Sequence, residues 1–205
     1  MICIIDYGLG NVLSVKNAIN KVGYNCKISN EINDIKSSKL LILPGVGSFK
    51  KGMNNLKTKN LIDILNEEVL NKKKIILGIC LGFQLMSKTS DEFGESNGLG
   101  WIDMKVKKIN SMNYRLPHVG WNKTKLIHKD QIFKNIKDEA LFYYNHSYCI
   151  QDIIDPKFTV LAKCNYGESF ISVGFKENIY GIQPHPEKSQ KQGLTFLENF
   201  IREKC

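Results

Sequence analysis

Two glycines stand two residues on either side of a cysteine in the stretch GICLGFQ, residues 78–84, directly after the apolar run Lys74-Ile-Ile-Leu77. A thiol so placed has two readings. Free cysteine behaves as a small hydrophobe and is commonly buried, so packing alone could account for it. A tight strand-to-helix elbow also needs small residues two before and two after a nucleophile, because a side chain there would clash in the turn. A helix after the elbow would aim its N-terminal dipole at the sulfur of Cys80 and favour the thiolate. A nucleophile of this kind needs a base, and the base needs a third group that fixes its tautomer. The stretch GIQPHPEKS, residues 181–189, offers both. In an extended segment residues i and i+2 share a side, so Glu187 can steer His185. Pro184 and Pro186 stiffen the stretch. PGVG, residues 44–47, is either a plain loop or a set of exposed backbone N–H groups able to hold a developing oxyanion. Cys80, His185 and Glu187 are therefore the expected catalytic set, and their chemistry is acyl transfer. His128 lies in a lysine-rich turn and is a weaker candidate base.

These residues need a frame that brings distant segments together. ICII (2–5), KLLILP (39–44) and KIILGI (74–79) are short continuous apolar runs, as in the buried strands of a parallel sheet. After the turn Gly8-Leu9-Gly10, Asn11 can cap a helix that carries Val12, Val15, Ala18 and Ile19 on one face and stops at Gly23. Residues 48–71 carry helical spacing, with Leu61, Ile62, Leu65 and Val69 on one face. This alternation predicts right-handed strand–helix–strand crossovers, with helices on both faces of the sheet. From about 100 to 127 and from 141 to 183 the texture becomes strands separated by turns. A last helix is expected over 189–203, presenting Leu194, Leu197, Phe200 and Ile201. The fold class is α/β: a three-layer αβα sandwich around a central mixed, mostly parallel sheet, in one domain over residues 1–205. Ligands of such sheets bind beyond the carboxyl ends of the strands, where the 44–47 loop and Cys80 both fall.

Composition removes several alternatives. Apolar residues make up 42% and charged residues 24% of the chain, the balance of a globular protein rather than a disordered one. The net charge of +9 comes from scattered lysines, without an RNA-binding aromatic motif, zinc module or recognition-helix pattern, so no nucleic acid is expected. No apolar run approaches a membrane span. The first residues, MICIID, lack a basic leader, and the six cysteines form no C-x-x-C pair, so reduced thiols and a cytoplasmic location are expected. The GLG at 8–10 lacks the third glycine and downstream acid of a dinucleotide fingerprint, and no metal motif is present. No cofactor is expected.

Cys80 within GICLGFQLM, with His185 and Glu187 in HPEKS, resembles the class I glutamine amidotransferases. Members have a flavodoxin-like fold and hydrolyse glutamine to glutamate and ammonia. DYGLGNVLSV (6–15), LPGVGSF (43–49), LPHVGWN (116–122), HSY (146–148) and HPEKSQ (185–190) narrow the resemblance to one branch, and it runs over essentially the whole chain. That branch comprises the glutaminase subunits that dock on a (β/α)8 cyclase to make imidazole glycerol phosphate in histidine biosynthesis. The resemblance implies that Cys80 attacks the glutamine amide, His185 moves the proton and Glu187 orients His185. It implies an oxyanion hole at the backbone N–H groups of Val46 and Leu81. Gly45, Gly47, Gln84, Ser147 and Tyr148 match positions at the glutamine site, and Asn11, Trp121, Tyr143 and Lys188 match positions facing the cyclase in a heterodimer. Two positions depart from the pattern: Pro184 stands where Phe is usual, and Asn145 where an apolar residue usually precedes HSY. Related amidotransferase–cyclase pairs supply ammonia for amidino groups on surface-polysaccharide or flagellin sugars, and that is the alternative pathway. A different flavodoxin-like cysteine hydrolase would require neither HPEKS nor PHVGWN.

Overall fold

The computed structural model describes residues 1–110 and 114–205; the 111–113 part of the strand-and-turn texture lies outside the described residues. In chain order the first half contains β1 (Ile2–Ile5), α1 (Val12–Lys21), β2 (Cys26–Ser29), α2 (Ile32–Ser37), β3 (Leu40–Leu43), α3 (Phe49–Thr58), α4 (Leu61–Asn66), β4 (Ile75–Ile79) and α5 (Leu81–Leu85). The second half is mainly strands: β5 (Ser87–Ser90), β6 (Ser96–Asn97), β7 (Ile102–Lys108), β8 (His118–Leu126), β9 (Ala140–His146), β10 (Tyr148–Ile153), β11 (Thr159–Tyr166), β12 (Glu168–Lys176) and β13 (Ile179–Ile182), then α6 (Gln190–Lys204).

Among the described residues, nine strands form one mixed sheet in the order β2-β1-β3-β4-β13-β12-β11-β8-β9. The stretch from β2 to β13 is parallel, and the stretch from β13 to β9 is antiparallel. β4 and β13 are direct neighbours, with Gly78 opposite Gly181 and Ile79 opposite Ile182. That pairing carries the Cys80 elbow and the 183–187 segment out of the same end of the sheet, although the two lie far apart in sequence.

The period of two in each strand divides the core. Ile2, Ile4, Leu40, Ile42, Leu77 and Ile79 pack with Val15 and Ile19 of α1 and Phe196, Leu197 and Phe200 of α6. Cys3, Ile5, Leu41, Leu43 and Ile76 point to the other face, where α2 to α5 supply Ile35, Leu56, Leu65, Phe83 and Leu85. Burying each such Leu, Ile or Phe side chain contributes about 1.5–3 kcal/mol. Three layers result, as the alternation of elements implies. A second sheet, β10-β7-β5-β6, completes the face that carries Phe83 and places Ile102, Met104, Val106 and Ile150 in that core.

Two local readings change. The helical stretch 48–71 is not one helix: Asn60 adopts a left-handed φ of 54° between α3 and α4, and Glu67–Asn71 closes as a π turn. A separate strand, β2, and the short α2 also precede β3, a unit whose residues are too polar to stand out as an apolar run. Asn11 caps α1 as expected, accepting the Ser14 N–H at 3.2 Å.

Candidate active site

Cys80 sits between β4 and α5 with φ 51° and ψ −109°, a backbone conformation costly for any residue with a side chain. Its N–H donates to the Ile182 carbonyl at 2.7 Å, and its carbonyl accepts the Gln84 N–H at 3.1 Å, so the strain is held from both sides. The flanking glycines are required by contact. A Cβ on Gly82 would lie 1.8 Å from the Leu43 carbonyl oxygen, and one on Gly78 would lie 2.7 Å from the Phe83 nitrogen. The 44–47 loop presses on the same elbow: a Cβ on Gly45 would come within 2.6 Å of Leu81 Cβ and 2.7 Å of the Gly82 nitrogen. Tyr7, fully buried, donates its hydroxyl to the Pro44 carbonyl at 2.7 Å and secures that loop. Leu81 heads α5, so helix geometry leaves its N–H without an intrahelical acceptor.

His185 enters from the end of β13. Its backbone N–H donates to the Tyr143 carbonyl at 2.8 Å, and Ser189 Oγ donates to the His185 carbonyl at 2.6 Å. His185 Nδ1 is 2.8 Å from Glu187 Oε1, with both side chains buried. Its Nε2 is buried and has no hydrogen-bond partner among the described residues, and the charges that act on the ring are those of Cys80 and Glu187. Burial works against a charged imidazole here, but the Cys80 sulfur and the Glu187 carboxylate outweigh it, and the His185 pKa is pushed up to about 10. The geometry suits a thiolate–imidazolium pair with a carboxylate fixing the imidazole tautomer.

Cys80 opens on a cavity of about 300 Å³ lined on one side by Val46, Gly47, Leu81 and Gln84, and on the other by Asn145, His146, Ser147 and Tyr148. That volume leaves room for a whole free amino acid. Gly45 lies under the elbow rather than in the wall, so its place in the site is to let the loop approach. Gln84 is nearly buried, and its Nε2 donates to the Tyr148 carbonyl at 2.7 Å and to Gln183 Oε1 at 3.0 Å. Three wall residues escaped sequence reasoning: Glu92, Phe93 and Pro117. Glu92 Oε2 accepts the Phe49 N–H at 2.6 Å, and burial raises its pKa, with the Phe49 N–H opposing. Nothing in the sequence marks Glu92 out, since it follows a short polar strand.

Trp121, Tyr143 and Lys188 gather outside the cavity. The Trp121 and Tyr143 rings meet edge to face at 6.0 Å, and Lys188 Nζ lies 5.8 Å from the Tyr143 ring centre. Trp121 is 45% exposed, as are Val119 at 55% and Leu141 at 49% on the same two strands. Asn11 heads α1, which packs against the turn carrying Lys188. Among the described residues no cluster of three or more His, Cys, Asp or Glu could hold a metal ion, and no helix is long and apolar enough to cross a membrane.

The family description "glutamine amidotransferase class-I" matches residues 3–204. "Imidazole glycerol phosphate synthase subunit HisH 2" of Methanococcus maripaludis is 46% identical over 204 residues, covering 99% of this chain and 100% of the relative. The protein of the same name from Pseudomonas aeruginosa is 41% identical, covering 98% of each chain. "Imidazole glycerol phosphate synthase subunit HisH" of Pelagibacter ubique is 40% identical, again over 98% of each. Among solved structures, a crystal structure of a glutamine amidotransferase superposes with a TM-score of 0.75 at 16% identity, covering 97% of each chain. PurLQS from Thermotoga maritima gives 0.73 at 18% identity, covering 98% of this chain and 97% of that one.

Proposed function

The chain belongs to the class I glutamine amidotransferase family, and on that premise we propose that it is the glutaminase subunit of an imidazole glycerol phosphate synthase. As a single amidotransferase domain over residues 1–205 it releases ammonia from L-glutamine for a cyclase partner in histidine biosynthesis. The observation that carries this reading is one arrangement: His185 held by Glu187 at 2.8 Å, beside an elbow cysteine that opens on a glutamine-sized cavity. The relatives' names set this pathway ahead of amidino-sugar synthesis. The six free cysteines fit a reducing, cytoplasmic setting.

The Cys80 thiolate attacks the γ-carbonyl of glutamine. The oxyanion that forms is held by the N–H groups of Leu81 and Val46, and one such donor is typically worth about 3–4 kcal/mol. His185 gives its Nε2 proton to the departing nitrogen, the C–N bond breaks, and a γ-glutamyl thioester remains with free ammonia. Water then attacks that thioester with His185 as base, the C–S bond breaks, and glutamate leaves. Glu187 keeps the imidazole in the required tautomer throughout. Gln84, Ser147, Tyr148 and Gly47 line the wall against the substrate, and Glu92 supplies the negative charge that an α-ammonium group requires.

Ammonia released into bulk water takes a proton and loses its nucleophilicity, so a docked acceptor is needed. Trp121, Tyr143 and Lys188, with Asn11 at the head of α1, form the face for a (β/α)8 cyclase in a heterodimer. An exposed tryptophan against a half-buried tyrosine, with a cation beside the tyrosine ring, is the kind of anchor that dominates interface energies. The test is to purify the chain with candidate cyclases from its own genome and ask which pair makes imidazole glycerol phosphate from glutamine. Formation of that product supports the reading; a stable pair that releases ammonia without it would move the chain to another pathway.

A further inference from the structure

The sulfur of Cys80 has a second neighbour besides His185. Gln183 Nε2 lies 3.5 Å from Cys80 Sγ, within reach of an N–H to sulfur hydrogen bond, and Gln183 has no exposed surface. The direction of this contact is fixed by a chain of groups. The Tyr148 carbonyl can only accept, so the NH₂ end of Gln84 must face it, at 2.7 Å. The same nitrogen donates to Gln183 Oε1 at 3.0 Å, which leaves the Gln183 NH₂ as the end turned to sulfur. Its backbone is held equally firmly: the Gln183 N–H donates to the Ser172 carbonyl at 2.8 Å, and Pro184 restricts the residue before it to extended conformations. Pro184 is also where this chain departs from the usual Phe.

A charged sulfur at this place needs such a donor. Cys80 is only 5% exposed, so water solvates it poorly. The helix behind it spans only Leu81–Leu85, too short for the dipole that the sequence suggested to carry much weight. The Asn145 carbonyl, 3.9 Å from Sγ, accepts from a thiol and repels a thiolate. That leaves His185 on one side and Gln183 on the other.

We propose that Gln183 is a further catalytic residue, whose side-chain amide donates to Cys80 Sγ and stabilises the thiolate both before attack and when it leaves the thioester. The assignment rests on the glutaminase reading of the site. In the second step the C–S bond breaks and its electron pair returns to sulfur, where the Gln183 N–H meets it while water's oxygen stays with the glutamyl carbon. Hydrogen bonds to charged groups are roughly twice as strong as neutral ones, so the contact strengthens as the charge appears. Gln84 then has two tasks: its NH₂ end orients Gln183, and its Oε1 remains for the cavity.

The experiment is the pH dependence of Cys80 alkylation by iodoacetamide in the full chain, followed by mass spectrometry of the Cys80 peptide. Gln183→Met keeps the bulk and removes the donor; the alkylation midpoint should rise by roughly one pH unit, a tenfold loss of thiolate below it. Glutamine turnover should fall about tenfold in kcat with KM little changed. Gln183→Glu, which turns a carboxylate to the sulfur, should move the midpoint further the same way. An unchanged midpoint in folded Gln183→Met would overturn the proposal and leave Gln183 a packing residue. Should that variant not fold, Gln84→Met releases the amide from its orientation, and an unchanged midpoint there has the same force. Alkylation does not involve glutamine, so a wild-type pair that releases no ammonia would overturn the glutaminase reading separately.

Discussion

His118 Nδ1 lies 3.1 Å from His146 Nε2, and the pair is the inner part of a buried relay that crosses from β8 to the end of β9. The Tyr148 carbonyl accepts from His146 Nδ1 at 2.8 Å, so His146 Nε2 accepts from His118, whose Nε2 in turn accepts from Asn122 Nδ2 at 3.2 Å. Every proton in the relay is assigned by that terminal carbonyl. The relay joins the strand that carries Trp121 to the wall that carries Ser147 and Tyr148.

Both rings are held neutral. Burial lowers the His118 pKa to about 4, and burial, with the charges of His118 and His185, lowers that of His146 to about 3 despite the bond to Tyr148. The unfolded chain takes up these protons near pH 6.5 and the folded chain does not. Stability is therefore complete above 6.5 and lost as pH falls toward 4, by about 1.4 kcal/mol per pH unit for each histidine. Urea midpoints between pH 7 and 5 measure this, and His118→Asn should flatten the slope by one proton's share.

His185 behaves in the opposite sense. Its raised pKa means that the stabilisation its proton brings is fully present below 6.5 and is lost only as pH climbs through about 10. The alkaline limb of kcat/KM for glutamine should accordingly fall near pH 10 rather than near 6.5. Cys80→Ala removes the charge that opposes burial, so NMR titration of that variant should show the His185 ring losing its proton at a clearly lower pH.

Gly82→Ala tests the elbow itself. The added Cβ meets the Leu43 carbonyl oxygen at 1.8 Å, and neither backbone segment can retreat without disturbing β3 or Cys80. A loss of about 3 kcal/mol in urea unfolding is expected, together with loss of glutaminase activity.

Glu92→Gln tests the wall. Removing one negative charge from the place argued for the α-ammonium group should raise KM for glutamine about tenfold while kcat stays within a factor of about two, the mark of lost ground-state binding. Steady-state kinetics separates the two.

Much of this site is legible in the sequence because its groups come in fixed local patterns. Gly78 and Gly82 mark the elbow, and the i, i+2 spacing of His185 and Glu187 makes them one unit wherever the segment lands. The pairing of β4 with β13 is what brings these patterns together, and it shows only as two apolar runs. Gln183 and Glu92 are different. Each depends on a partner far along the chain, Cys80 for Gln183 and the Phe49 N–H for Glu92, and neither residue type is unusual where it stands. The break at Asn60 was hidden for a related reason: the apolar face of 48–71 continues through it, so periodicity reads the two helices as one.

The most direct test is to mix the chain and its partner with glutamine, quench in acid, and digest. A γ-glutamyl group should be found on the Cys80 peptide alone, and Cys80→Ala should lose both that adduct and ammonia release while still binding the partner. Ammonia release that persists in Cys80→Ala, or an adduct on any other residue, would contradict the account.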